Sequence, residues 1–314
     1  MARSTSSPVP TSGTATDAVP RRSLAIHLLY SLRPGQWSKN LVVFAGLLFG
    51  RRLFDAEAVL AAVGAFIVFC ALSGVVYLVN DVADRETDGL HPLKAHRPIA
   101  SGALAVPLAL YAAIGLGVAG IAGAVAVGWK FAAVAASYLV LQLAYSWALK
   151  HIVILDVLTI AIGFVLRAVA GAVAVNVEIS RWLLVCTILL ALFISLAKRR
   201  HEIVLLAGGA TSHRPILGEY SAYLLDQMIG VVTASTLISY IFYTISPETV
   251  EKFGTPWLGL TIPFPLYGIF RYLYLVHQRE GGGSPADLLL TDRPLLACVA
   301  LWAMAVALII YRPA

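Results

Sequence analysis

Residues 57–79 read EAVLAAVGAFIVFCALSGVVYLV and run directly into an acidic stretch, NDVADRETD, at residues 80–88. A helix of about 20 mostly apolar residues matches the hydrocarbon thickness of a bilayer. Because the acidic stretch follows without a linker, we expect its carboxylates at a membrane surface. The sequence therefore predicts a membrane-spanning helix that carries a group of acidic side chains at its end.

The rest of the chain shares this apolar character. Its 314 residues are 59% hydrophobic and 13% charged, and the mean hydropathy is +0.82. Soluble domains are about 45–50% apolar and about 25% charged, so this composition excludes that class. Cys70, Cys186 and Cys298 lie apart in apolar runs, which predicts buried packing and neither a disulfide framework nor a metal site. The fold class predicted is an all-α polytopic membrane protein.

Nine apolar segments, separated by polar or Gly/Pro-marked turns, predict nine transmembrane helices. Helices are expected because an unpaired backbone cannot cross lipid, and the segments are too long for barrel strands. The segments are residues 38–56, 57–79, 104–127, 131–148, 152–175, 182–197, 222–246, 255–276 and 293–311.

The sequence divides into a short N-terminal region and a long apolar domain. Residues 1–22 are rich in Ser, Thr, Pro and Ala and contain no apolar stretch of the kind found in signal peptides. We therefore expect a disordered N-terminal tail at residues 1–22 and a transmembrane domain at residues 23–314.

The net charge of +6 is interpreted first as a topology signal. Most Lys and Arg residues lie on the side of the N-terminus and of the exits from the even-numbered segments, which predicts a cytoplasmic N-terminus and an outside C-terminus. The two longest polar loops, residues 80–103 and 198–221, then share the cytoplasmic face of a cell-membrane protein. The tail is too sparsely basic to indicate nucleic-acid binding.

The acidic stretch has the composition of a magnesium site. If the second helix continues through it, Asn80, Asp84 and Asp88 stand at i, i+4 and i+8 and share one face, with Asp81 beside them. Carboxylate and amide oxygens are hard ligands that suit Mg²⁺, which completes its shell with water and substrate phosphates. An ordinary solvated loop is the alternative, but clustered carboxylates repel one another unless a cation is present.

Lys94 and Arg97 follow in the same loop and supply positive charge for phosphate oxygens. Acidic metal holders beside phosphate-binding cations indicate a diphosphate site.

The acidic stretch fits NDxxDxxxD, and the chain resembles the UbiA superfamily of intramembrane prenyltransferases over nearly its whole length. Within that superfamily it is most similar to the decaprenyl-phosphate phosphoribosyltransferase branch. The similar segments are RPGQWSKN at 33–40, HPLKAHRPIASG at 91–102, YSWALKHIVILD at 145–156, GFVLRAVAG at 163–171, KRRHE at 198–202 and DLLLTDRPLL at 287–296.

The resemblance implies a nine-helix bundle with an active-site cavity on the cytoplasmic side. It implies Mg²⁺-dependent transfer of 5-phosphoribosyl from phosphoribosyl pyrophosphate (PRPP) to a polyprenyl phosphate such as decaprenyl phosphate. The products would be diphosphate and decaprenylphosphoryl-5-phosphoribose, a precursor of cell-wall arabinan.

The second loop departs from the pattern of members that use a prenyl diphosphate. Those members carry a second aspartate-rich motif there, whereas this chain has Lys198, Arg199 and Glu202 within KRRHE and no Asp before Asp226. Cations cannot hold a metal, but they can bind phosphate directly. This suits a substrate pair with additional phosphates, and simple anchoring at the membrane surface is the alternative.

Two charges lie inside the fifth predicted span. Asp156 and Arg167 share a helix face but stand about 16 Å apart along the axis, so we expect no direct pair between them. Such charges are costly in a membrane and usually face a cavity. Gly163 and Gly171 flank Arg167 and predict either tight helix packing or close approach of a ligand.

The candidate site residues are therefore of two kinds. Asp81, Asp84 and Asp88 are the candidate catalytic residues, and with Asn80 they form the candidate Mg²⁺ ligands. The candidate substrate-binding residues, several of them placed by the resemblance alone, are Lys39, Lys94, Arg97, Tyr145, Lys150, Asp156, Arg167, Lys198, Arg199 and Glu202.

Two other functions compete with phosphoribosyl transfer. A prenyl-diphosphate-dependent transferase acting on an aromatic acceptor would be expected to carry the missing second acidic motif. A transporter would explain an intramembrane Arg167 but not carboxylates gathered beside Lys94 and Arg97. The expected partners are PRPP, a polyprenyl phosphate and the membrane, with no nucleic acid, and a homo-oligomer stays open.

Overall fold

The computed structural model describes residues 23–90, 94–205, 215–278, 288 and 291–311. The predicted tail at residues 1–22 lies outside the described residues. The α-helices are α1 Leu24–Ser31, α2 Ala45–Phe49, α3 Ala56–Ala83, α4 Arg85–Gly89, α5 Val106–Val127, α6 Trp129–Trp147, α7 Leu155–Ala174, α8 Arg181–Leu205, α9 Ala222–Ile245, α10 Pro247–Phe253, α11 Pro263–Gln278 and α12 Arg293–Tyr311. Short 3₁₀ helices span Pro34–Phe44, Leu149–His151, Pro215–Glu219 and Trp257–Thr261.

Six of the helices within these described ranges are long and apolar enough to cross a membrane, namely α3, α5, α7, α8, α9 and α12. Helix α5 shows the lipid-facing pattern most clearly, because Tyr111, Ile114 and Val118 are each more than 60% exposed. Large apolar side chains in such a row would be costly in water and are stable against lipid tails. The helices are those of a multi-pass membrane protein, while the count of nine spans stays a prediction.

Helix α3 confirms the stretch that opens the sequence analysis. Asp55 caps its first turn, because the Asp55 carboxylate accepts hydrogen bonds from the backbone N–H groups of Glu57 at 3.0 Å and Ala58 at 3.1 Å. The helix then runs through the apolar stretch as far as Ala83. It therefore carries Asn80 and Asp81 within its last turn.

The first predicted span, residues 38–56, is wrong as a single α-helix. This region forms the 3₁₀ helix Pro34–Phe44 and then the short α2, and Arg51 follows with a left-handed φ of 58°. The cause is a close backbone contact with α7. A Cβ atom added at Gly171 would lie 1.9 Å from the Val43 carbonyl oxygen. The segment is shaped by this packing, which apolarity alone does not reveal.

The connections at one end of the bundle meet, as the sequence predicts for its two long loops. Helix α7 packs between α6 and α8, and α8 packs along α9. Lys150, after α6, donates to Asp84 after α3 at 2.5 Å, and the Ile154 N–H donates to the Tyr220 hydroxyl before α9 at 2.7 Å. Three connections therefore lie side by side at this end.

The contact at Gly171 yields a stability prediction. Gly171→Ala should destabilise the protein by about 1–3 kcal/mol, because the added methyl group overpacks a backbone contact that cannot yield as a side chain could. The measurement is the thermal unfolding midpoint of the detergent-solubilised protein.

Gly230→Ala in α9 is the matched control, because a Cβ atom there meets nothing within 4 Å. It should leave the midpoint unchanged or raise it, since Ala favours a helix over Gly. Equal midpoints for the two variants would contradict the packing described here.

Candidate active site

Asp81 and Asp88 share one guanidinium group. Their side chains are only 3% and 5% exposed, and the Arg97 Nη1 atom donates to Asp81 Oδ1 at 3.0 Å and to Asp88 Oδ2 at 2.5 Å. Arg33 also pairs with Asp81, and the Lys94 Nζ lies 3.8 Å from Asp88 Oδ1. Buried carboxylates are stable only when paired, so these cations hold the acidic stretch in place.

Asp84 faces a different cation. Its Oδ1 accepts from the Lys150 Nζ at 2.5 Å, and its Oδ2 accepts from the Asn80 side-chain amide at 3.0 Å. Helix α3 breaks at Asp84, and α4 then carries Asp88 to the side of Asp81. The expected single face therefore holds for Asn80 and Asp84 but not for Asp88.

The acidic stretch offers a suitable donor set for Mg²⁺. Asp81 and Asp88 direct oxygens to within 3.0 Å of one nitrogen, and Asp84 and Asn80 add a carboxylate and an amide oxygen. Mg²⁺ prefers hard oxygen donors of this kind that point toward one position. Within the described residues, no three His, Cys, Asp or Glu side chains are gathered tightly enough to form a metal site as they stand. The residue types fit, and the assignment stays a prediction.

Asp156 and Arg199 form a second, deeper pair. Asp156 is fully buried, and its Oδ2 accepts from the Arg199 Nε at 3.0 Å. The Arg199 Nη1 donates to Glu202 Oε2 at 2.7 Å, and the Tyr220 hydroxyl donates to Asp156 Oδ1 at 2.8 Å. Arg199 therefore binds two carboxylates of the protein in this arrangement, and its predicted phosphate contact stays a prediction.

Arg167 lies in a separate network, as its distance from Asp156 along α7 predicts. Its guanidinium donates to the Asn40 side-chain oxygen at 2.7 Å, to the Tyr138 hydroxyl at 2.7 Å and to the Gly163 carbonyl at 3.1 Å. It also stacks on Tyr138, with 4.6 Å from its central carbon to the ring centroid. In the part of the chain that the structure describes, these hydrogen-bond partners are uncharged, so Arg167 brings a net positive charge into the bundle.

The remaining candidates lie around these clusters. Lys39 is half-buried in the first 3₁₀ helix, and Tyr145 is half-buried in the last turn of α6. The Lys198 Nζ is 4.0 Å from Glu202 Oε1. Outside these clusters, Arg271 pairs with Asp292, with 2.8 Å between Arg271 Nη2 and Asp292 Oδ2.

Arg33 and Tyr220 also belong to this site, although neither is among the residues predicted from the sequence. Arg33 belongs to the segment RPGQWSKN, but nothing in that segment predicts a pair with Asp81. It adopts a left-handed φ of 52° just before Pro34, where the ordinary helical region is disfavoured. Its guanidinium reaches Asp81 and stacks on Tyr77. No local pattern marks Tyr220, because its contacts come from a different part of the chain.

Comparison with known proteins shows the family of this chain. The model of the UbiA prenyltransferase family matches residues 40–291. The chain belongs to the UbiA prenyltransferase family. A solved UbiA homolog from Archaeoglobus fulgidus bound to GPP and Mg²⁺ has a TM-score of 0.71 and 20% identity to it, covering 90% of this chain and 99% of that one. The likeness shows that the UbiA fold is shared.

Curated relatives of this UbiA chain carry a more specific name. Decaprenyl-phosphate phosphoribosyltransferase from Corynebacterium glutamicum is 32% identical over 301 residues, which are 93% of this chain and 89% of the relative. The protein of the same name from Mycobacterium tuberculosis is 33% identical over 290 residues, which are 90% and 94% of the two chains.

The shared guanidinium predicts the effect of removing it. Arg97→Met should lower the free energy of unfolding by on the order of 3 kcal/mol, because it leaves two buried carboxylates undercompensated. Added Mg²⁺ should restore part of this loss if the same carboxylates accept a divalent ion. The measurement is thermal unfolding in detergent with and without Mg²⁺.

Arg85→Met is the matched control, since Arg85 is an exposed residue at the start of α4. A midpoint for Arg97→Met no lower than that of Arg85→Met would contradict the role given to Arg97.

Proposed function

We propose that this chain transfers the 5-phosphoribosyl group of PRPP to a polyprenyl phosphate, decaprenyl phosphate in the first instance, and releases diphosphate. The observation that carries the proposal is the 32–33% identity, over 90% or more of the chain, to proteins named decaprenyl-phosphate phosphoribosyltransferase. The chain is thus a membrane transferase of the UbiA family with a donor that differs from a prenyl diphosphate.

The charges of the site suit these substrates. PRPP carries a diphosphate at C1 and a separate 5-phosphate, and the lipid acceptor carries a third anionic group. Lys94, Arg97 and Lys150 surround the acidic stretch and are the proposed phosphate contacts there. In the second loop, cations stand where a second acidic motif would serve a prenyl diphosphate.

Binding of the donor would exchange one set of ion pairs for another. In the free protein, Lys150 and Arg97 bind carboxylates. Once Mg²⁺ neutralises those carboxylates, each of the two cations would be available to bind a phosphate. Asn80, Asp81, Asp84 and Asp88 would hold Mg²⁺, which would neutralise charge on the leaving diphosphate. The positive charge of Mg²⁺ would then offset part of the negative charge that PRPP brings to the site.

The transfer step needs little from the protein beyond orientation. An oxygen of the lipid phosphate forms a bond to C1 of the ribose, while the bond from C1 to the diphosphate oxygen breaks and its electron pair leaves with diphosphate. Because the attacking phosphate is already ionised near neutral pH, no strong general base is required. This agrees with a site of carboxylates and cations that presents no activated nucleophile.

The membrane setting supplies the acceptor. A long polyprenyl chain stays in the bilayer, so its phosphate lies at the membrane surface, where the connections after α3, α6 and α8 meet. We propose that this end is cytoplasmic, because the positive-inside pattern places the N-terminus and these loops there. PRPP is a water-soluble donor and would reach the site from that side.

Asp84→Asn tests the role of the acidic stretch. It should lower the rate of phosphoribosyl transfer by at least about 100-fold. The amide keeps the size of the side chain but loses the negative charge that pairs with Lys150 and suits the metal. Activity is measured as labelled ribose reaching the lipid fraction.

Glu86→Gln is the control for this variant. Glu86 is an exposed residue in α4 of the same acidic stretch, and its neutralisation should leave activity unchanged. Retained activity in Asp84→Asn would remove the acidic stretch from the reaction.

The choice of donor is tested by offering both kinds of substrate. Purified protein in detergent with Mg²⁺ receives either PRPP with a polyprenyl phosphate, or a prenyl diphosphate with an aromatic acceptor. We expect product only from the first pair. Product only from the second would make the chain a prenyl-diphosphate transferase and overturn the proposal.

A further inference from the structure

Tyr220 joins the second loop to the start of α7. It lies between the 3₁₀ helix Pro215–Glu219 and α9, and only 5% of its surface is exposed. Its ring packs in the hydrophobic cluster that includes Val157 and Phe193. The ring is therefore fixed by the core, and the hydroxyl is held at a defined place.

The Tyr220 hydroxyl makes two hydrogen bonds within one short segment. It accepts from the backbone N–H of Ile154 at 2.7 Å and donates to Asp156 Oδ1 at 2.8 Å. Burial raises the pKa of Tyr220 to about 12, so the hydroxyl keeps its proton near neutral pH and can act as the donor. A phenylalanine ring could fill the same space but could make neither bond.

The segment that Tyr220 binds is strained. Ile154 has φ 70° and ψ −43°, and a β-branched residue rarely adopts a positive φ. Such a conformation persists only where the surroundings enforce it. Here the Tyr220 hydroxyl fixes the Ile154 N–H, and Asp156 is held in turn by Arg199 at 3.0 Å.

Lys150 lies only four residues before Ile154. The 3₁₀ helix Leu149–His151 separates α6 from the strained residue, and Lys150 extends from it to Asp84 Oδ1 at 2.5 Å. The Lys150 side chain is only 12% exposed, so it reaches Asp84 along a confined path. Lys150 and Ile154 therefore belong to the same short connection between α6 and α7.

We propose that Tyr220 is a positioning residue. By fixing the strained connection at Ile154, it orients the Lys150 side chain so that the Lys150 ammonium group can bind the PRPP phosphates. The proposal rests on the proposed function, because it gives Lys150 a donor to bind. Tyr220 itself contacts only protein groups and is no catalytic residue. We call the group formed by Tyr220, Ile154, Asp156 and Arg199 the latch. Within it, the ion pair between Asp156 and Arg199 holds the Asp156 carboxylate in place.

The test is Tyr220→Phe, measured by steady-state kinetics for both substrates. Loss of a buried hydrogen bond to the strained segment should raise KM for PRPP about tenfold, with KM for the lipid phosphate unchanged. A merely structural defect would instead lower the amount of active enzyme, and so kcat, without separating the two KM values. An unchanged KM for PRPP would overturn the proposal.

Tyr223→Phe is the matched control. Tyr223 lies three residues further along and is 74% exposed, so the same chemical change there should leave both KM values unchanged. An equal rise in KM for PRPP in this variant would show a general effect of the substitution and overturn the specific role of Tyr220.

A second variant separates action through Lys150 from action elsewhere. If Tyr220 acts by placing Lys150, Tyr220→Phe should add nothing to the rise in KM already caused by Lys150→Met. If the rises in KM for PRPP caused by the two single changes multiply in the double variant, Tyr220 does not act through Lys150 and the proposal is wrong.

Deuterium exchange of the wild-type protein tests the latch without any variant. The Ile154 amide lies in a connection between helices, yet it should exchange slowly because its N–H binds a buried hydroxyl. Fast exchange there would overturn the proposal even if Tyr220→Phe did not fold. If wild-type protein transfers no phosphoribosyl group while the Ile154 amide is protected, it is the proposed function that fails.

Discussion

Pairing of carboxylates with cations from other segments of the chain is the constraint on which this site depends. Arg97 bridges Asp81 and Asp88, while Lys150 reaches Asp84 from the connection after α6. A charge removed from water is tolerated only with a partner, so each pair fixes the connection that supplies it. The apolar helices place the chain in the membrane, and these pairs lie at the end where we propose that polar substrates bind.

The same pairing is the basis of the proposed exchange of partners when a polyanionic donor binds. In that proposal, the carboxylates that neutralise cations in the free protein would bind a divalent ion, and the cations would then bind phosphates. The deeper pair of Asp156 and Arg199 has a different position, because its partners are Glu202 and Tyr220. Both of its side chains are at most 3% exposed, whereas those of Arg97 and Asp84 are 23% and 29% exposed.

Much of this arrangement could be predicted from the sequence. Helix α3 and its acidic end follow from local composition, and the separation of Asp156 from Arg167 follows from helical geometry. The irregular first segment could not be predicted, because its apolar residues resemble those of any span, and its 3₁₀ form comes from contact with Gly171. Tyr220 was equally hidden, since its role depends on the backbone of Ile154, far from it in the chain.

Phosphoribosyl transfer is tested most directly by PRPP that carries one label on the ribose and another on the C1 diphosphate. Wild-type protein in detergent receives it with Mg²⁺ and decaprenyl phosphate, and the lipid and water phases are then counted separately. We expect the ribose label to enter the lipid phase, while the diphosphate label stays in the water phase in equal amount. Both labels in the lipid, or neither, would contradict cleavage between C1 and the diphosphate at this site.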